Sequence, residues 1–125
     1  MRYQRNDPYR LPKDVYKQAY YIIKDYKRMS ELAESILDSS GSSEGAPAKG
    51  TISDTTAVKA AKRETLLRYT KAIERAFSLV PPEYRKPIWD NIVNGKPYPD
   101  YADKVTFWRY RRRVYWYVAD GLNLI

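Results

Sequence analysis

Residues 12–37 read PKDVYKQAYYIIKDYKRMSELAESIL, and the spacing of their apolar side chains decides the fold class. Val15, Ala19, Ile22, Tyr26, Met29, Ala33 and Ile36 step alternately by four and three residues. That is an unbroken heptad seam, the pattern of a helix packed lengthwise on another helix, and the alternation of a strand does not fit it. Lys17, Lys24, Lys27 and Glu31 fall off the seam, where they can stay solvated. Pro12 suits a first turn because the N–H it lacks has no intrahelical partner there. The stretch therefore predicts one long helix from about Pro12 to Leu37.

After this helix the apolar period stops. Ser39–Ser53 is rich in Ser and Gly and reads as a flexible linker, long enough to let a second helix fold back on the first. Asp54 or Thr55 can cap that second helix. Val58, Leu66, Tyr69, Ile73, Ala76, Phe77 and Val80 mark its apolar face, and Pro81-Pro82 ends it. A shorter helix is expected over Pro82–Val93, with Pro87 either kinking it or starting its main turn. Asn94-Gly95 is the stop signal, since Gly readily takes the left-handed conformation found after helix ends. A last helix should start at Asp100 or Asp103 and end near Gly121. Phe107, Trp108, Val114, Tyr115, Val118, Ala119 and Leu122 gather on its apolar face, and Arg109, Arg113, Trp116 and Asp120 lie opposite. Arg111 points to the apolar side and is expected to snorkel.

The expected architecture is all-α. Residues 1–38 form a long helix with a polar arm, 39–53 a linker, 54–80 a second long helix closing a helical hairpin, and 81–125 a helix-turn-helix module.

Composition narrows the chemistry. The chain has no Cys, hence neither disulfides nor thiolates, and no His, hence neither the commonest general base nor the commonest metal ligand. No nucleophile–base pair, phosphate-cradling Gly loop or metal-ligand array can be read, so neither an enzyme nor a cofactor is expected. The first ten residues lack the apolar core of a signal peptide, and no apolar run suffices to span a bilayer. A cytoplasmic location is the expectation.

Charge points to a partner. The formal net charge is +8, a balance that favours polyanions. It is densest over residues 104–125, where five cations face Asp120 alone. Arg109 and Arg113 are four residues apart and share a helix face, and Thr106 and Tyr110 extend the surface toward its amino end. The DNA major groove admits one helix, whose Arg, Lys, Asn and Gln side chains read base edges. On this reading Thr106, Arg109 and Arg113 face the bases, and Lys104, Tyr110 and Arg112 the backbone.

The chain resembles the RinA/ArpU-like phage transcriptional regulators of Gram-positive prophages. The resemblance rests on Leu11-Pro12 opening an aromatic helix that runs into Lys24-Asp25-Tyr26-Lys27-Arg28, on Asp54-Thr55-Thr56 and Lys59-Ala60, and most strongly on Val80-Pro81-Pro82-Glu83-Tyr84-Arg85-Lys86 with Ile88-Trp89-Asp90-Asn91-Ile92. It closes on Thr106-Phe107-Trp108-Arg109-Tyr110-Arg111-Arg112-Arg113 and Tyr117-Val118-Ala119. The order of segments carries more weight than any single motif. Pro87 departs from the family pattern. The resemblance implies a late-operon regulator of a phage or prophage, acting in a bacterial host cell on double-stranded DNA through a helix-turn-helix like sigma-factor region four. Two alternatives stay open: a DNA-packaging component like a small terminase subunit, and a helical module that docks on RNA polymerase without reading DNA. The long first seam packs either within one chain or between the chains of a homodimer.

Overall fold

The structure is a computed structural model that describes residues 7–41 and 49–125, with side chains described at 7–38 and 55–125. Its elements are α1 (Lys13–Lys24), α2 (Tyr26–Gly41), α3 (Lys49–Ser78), α4 (Pro82–Asn94) and α5 (Lys104–Gly121), with no strand among the described residues. The fold is all-α, as the three-and-four spacing predicts.

The first seam is not one helix. It is interrupted at Asp25, whose carboxylate accepts two hydrogen bonds from the Arg28 guanidinium, at 2.7 and 2.6 Å. That pairing holds the Asp25 carboxyl below its ordinary value. Ala19, Met29, Ala33 and Ile36 of the seam are buried. Between Ala19 and Met29 the buried position is Ile23, one residue off the expected Ile22. The expected linker is also shorter at both ends, since α2 continues to Gly41 and α3 begins at Lys49. Extending an existing helix by a residue costs far less than nucleating one, so polar sequence beside a strong helix can be drawn in. Residues 42–48 of that linker lie outside the described residues.

The chain divides into two compact units: Met1–Lys24 with Ala72–Ile125, and Asp25–Lys71. Both long helices of the expected hairpin are therefore shared out, and residues 81–125 do not form a module by themselves. The physical reason is α1, which packs on both α4 and α5 and buries Ala19 and Ile23 completely. In the Asp25–Lys71 unit, Arg63 Nε donates to the Ala33 carbonyl at 3.2 Å and ties α3 to α2.

In the other unit, α5 is the central element. Phe107, Val114, Tyr115, Val118 and Ala119 are inaccessible. The Tyr115 ring meets that of Tyr16 edge-on at 4.6 Å. Arg111 does more than snorkel. It donates to the Tyr115 hydroxyl (3.1 Å), to Asn91 Oδ1 on α4 (3.1 Å) and to the Tyr16 hydroxyl on α1 (3.3 Å), joining three helices through one guanidinium. Burial pushes the Tyr115 phenol well above its ordinary value, against the opposing charge of Arg111.

Helix ends follow sequence chemistry. Arg85 donates to the carbonyls of Val80 (2.8 Å) and Ser78 (3.0 Å), satisfying acceptors left over at the end of α3. Gly95 sits at φ +67 beyond α4 and donates to the Asn91 carbonyl, while Lys96 N–H reaches Asp90. Pro87 is accommodated inside α4. Its missing N–H leaves the carbonyl four residues back, on Glu83, without a helical donor. The Tyr101 hydroxyl donates to that carbonyl. Tyr101 also belongs to an aromatic cluster around Phe107: Tyr98 stacks on the Phe107 ring at 4.8 Å, and Tyr84 and Tyr101 meet it at 5.2 and 5.6 Å. These contacts order the connector from Gly95 to Asp103.

Candidate nucleic-acid interface

The amino-terminal turns of α5 carry the exposed end of the basic helix. Lys104 and Arg109 are exposed, while Thr106 and Tyr110 are half-buried. The Tyr110 ring lies against Tyr84 at 4.9 Å, so it belongs in part to the aromatic cluster. Asp103 precedes the helix but makes no side-chain capping bond, so its carboxylate does not seal the amino end of α5. A helix amino end carries partial positive charge and favours anions.

Arg112 and Arg113 depart from their expected exposure. The segment Asp7–Tyr9 folds over the face of α5 that a helical wheel leaves open. Asp7 pairs with Arg112 at 2.6 Å, and the Arg112 side chain retains 15 % exposure. The Tyr9 backbone N–H donates to the Asp7 carboxylate at 2.8 Å, which fixes the turn. The Tyr9 ring meets Trp116 and Tyr117 edge-on at 5.6 and 6.0 Å, with the Arg113 guanidinium over it at 4.8 Å. Arg113 Nε is buried without a hydrogen-bond partner among the described residues. Burial and the Tyr9 hydroxyl push Tyr117 above its ordinary value. Of the six side chains expected to meet DNA, two are thus held by the chain's own amino-terminal segment.

Trp108 also departs from its expected place. It was expected in the core but keeps 40 % exposure. Lys104, Trp108 and Arg112 are spaced i, i+4, i+8, so they form one row along α5. The Arg112 guanidinium lies 4.6 Å from the Trp108 ring centroid. Phe107, one residue away, takes the buried position.

The site also contains residues that the sequence does not place there. A groove of about 720 Å³ runs beside the Lys104–Trp108–Arg112 row, with Asp7, Tyr9, Arg109 and Arg113 among its lining residues. A second groove, of about 470 Å³, shares Trp108 and Arg112 and is lined by Arg10, Lys13 and Lys17. Two segments almost a hundred residues apart therefore contribute cations to the surroundings of one exposed tryptophan. Among the described residues, Asp7 in the first groove is the only carboxylate lining either of them. Local charge counting could suggest each segment separately, but not their meeting.

No family model matches the chain, and neither a curated protein nor a solved structure matches it. No described helix is long and apolar enough to cross a membrane.

Proposed function

We propose that this protein binds double-stranded DNA and regulates transcription, with the exposed amino-terminal turns of α5 as the reading element. The observation that carries the reading is the convergence of Arg10, Lys13 and Lys17 with Lys104, Arg109 and Arg112 around Trp108. Cations spread over two neighbouring grooves suit a run of phosphates better than a single anion. In helix-turn-helix proteins the amino-terminal residues of the recognition helix meet the base edges, which is where Arg109 and Thr106 stand on α5. The helix-turn-helix reading of α4 and α5, and a late-operon role in a phage or prophage within a bacterial cytoplasm, rest on the resemblance described above. Within this reading Arg109 contacts bases and Lys104 contacts phosphate. Arg112 is a phosphate contact only if Asp7 gives it up. The test is a selection from random duplexes with the purified full chain: enrichment of one sequence supports the reading, and recovery of unenriched DNA at all salt concentrations rejects it.

A second reading has its own observation. Tyr101, Val105 and Trp108 are exposed large apolar side chains near the same turns. Such residues suit a protein surface, for which RNA polymerase is the natural partner of a regulator. Binding that is insensitive to salt and independent of DNA favours this alternative.

A further inference from the structure

The groove between Asp7–Tyr9 and the first turns of α5 has the make-up of a small-molecule site. Its volume of about 720 Å³ lies within the roughly 300–1,000 Å³ of ligand pockets. Two kinds of side chain line it. Tyr9, Tyr98 and Trp108 supply flat apolar surface, and Trp108 keeps 40 % exposure. Lys104 and Arg109 are exposed in the same wall, and no salt bridge engages either of them among the described residues. The one carboxylate among the described lining residues, Asp7, is already taken by Arg112 at 2.6 Å.

One further feature asks for an anion. The amino end of α5 has no side-chain cap from Asp103, so its dipole adds to the field of Lys104. A ligand that satisfies the whole wall carries both a flat ring and a multiply charged anionic group. A carboxylate alone leaves the exposed part of Trp108 uncovered, and an uncharged aromatic leaves Lys104 and Arg109 without an anion.

We propose that this groove binds a free nucleoside phosphate, with the base against Trp108 and the phosphate held by Lys104 and Arg109. The site does not depend on the DNA-binding reading, because AMP binding is measured without duplex DNA. Occupancy would engage two of the side chains assigned to DNA, so a bound nucleotide and duplex DNA would compete.

The experiment is equilibrium dialysis of the full chain against AMP, adenosine, inorganic phosphate and a single-stranded oligodeoxyadenylate. The expected result is saturable binding of AMP at one equivalent per chain, at least about tenfold tighter than adenosine or phosphate. Trp108→Leu should weaken AMP at least about fivefold, the low end of what a base–aromatic stack supplies. Lys104→Gln should bring AMP down toward adenosine. Trp108 is partly exposed, so circular dichroism should show both variants folded. The proposal is overturned if phosphate binds as well as AMP, since charge alone would then suffice. It is overturned equally by an unchanged affinity in folded Trp108→Leu, by no saturable AMP binding at millimolar concentration, or by an oligonucleotide that binds tenfold tighter than AMP.

Discussion

Replacing Tyr101 by Phe should destabilise the protein only while Pro87 is present. Pro87 cannot donate to the Glu83 carbonyl, and the Tyr101 hydroxyl makes that bond instead. The Phe variant keeps the ring, and with it the contact to Phe107 at 5.6 Å, so it removes the hydrogen bond and little else. This bond is exposed, so water can replace the lost donor and it contributes no more than about 1 kcal/mol net. In a Pro87→Ala background the backbone N–H at position 87 is restored and can reach Glu83 itself. The second change should therefore cost close to nothing there, which makes the coupling positive and no more than about 1 kcal/mol, as expected for groups sharing one acceptor. Pro87→Ala alone should be stabilising, by less than the ~3 kcal/mol that separates Pro from Ala in a helix interior, because the fold already accommodates the ring. Urea unfolding of the four chains, followed by circular dichroism, gives the cycle directly. Equal costs of Tyr101→Phe in both backgrounds would refute the reasoning.

The other expectations come from the site and the core. Trp108→Ala should cost well under the roughly 3–5 kcal/mol of a buried aromatic, whereas Phe107→Ala should cost that full amount, and denaturation midpoints separate the two. Tyr115 is raised by burial above the ordinary 10.0, so its neutral form supports the fold. That support is complete below pH 10 and is lost as pH climbs through the higher folded value, so urea midpoints should fall in alkali, less steeply for Tyr115→Phe. Asp7→Asn removes the anion from Arg112, so duplex binding should strengthen at low salt and its salt dependence should steepen by about one unit.

Helix punctuation was legible because it is local. Pro81-Pro82 separates α3 from α4, and Asn94-Gly95 closes α4 with Gly95 at the left-handed φ its sequence context suggests. Pro87 was legible as a disturbance but not in its remedy, because Tyr101 lies beyond the turn and no period connects it to Glu83. The seam from Val15 to Ile36 was legible as helix, yet a heptad pattern does not say which partner each half meets, and the compact units divide at Asp25. Lys104 and Arg109 stand exposed, as wheel geometry suggests. Arg112 and Arg113 do not, because a wheel sees one helix and Asp7–Tyr9 arrives from the far end of the chain. Trp108 is misplaced by the wheel for a related reason: its neighbour Phe107 fills the core, and Trp108 stands beside exposed Lys104.

The central claim is that the exposed turns of α5 read duplex DNA, and fluorescence anisotropy across a salt series tests it most directly. The full chain, Arg109→Ala and Lys104→Ala should each be titrated with the duplex recovered by selection and with a scrambled one. Arg109→Ala should lose about 1–3 kcal/mol on the selected duplex and discriminate less between the two. Lys104→Ala should weaken both alike and lower the salt slope by about one unit. Folded variants that match the parent chain in affinity, discrimination and salt slope would contradict the claim and leave the basic turns of α5 as ordinary solvated surface.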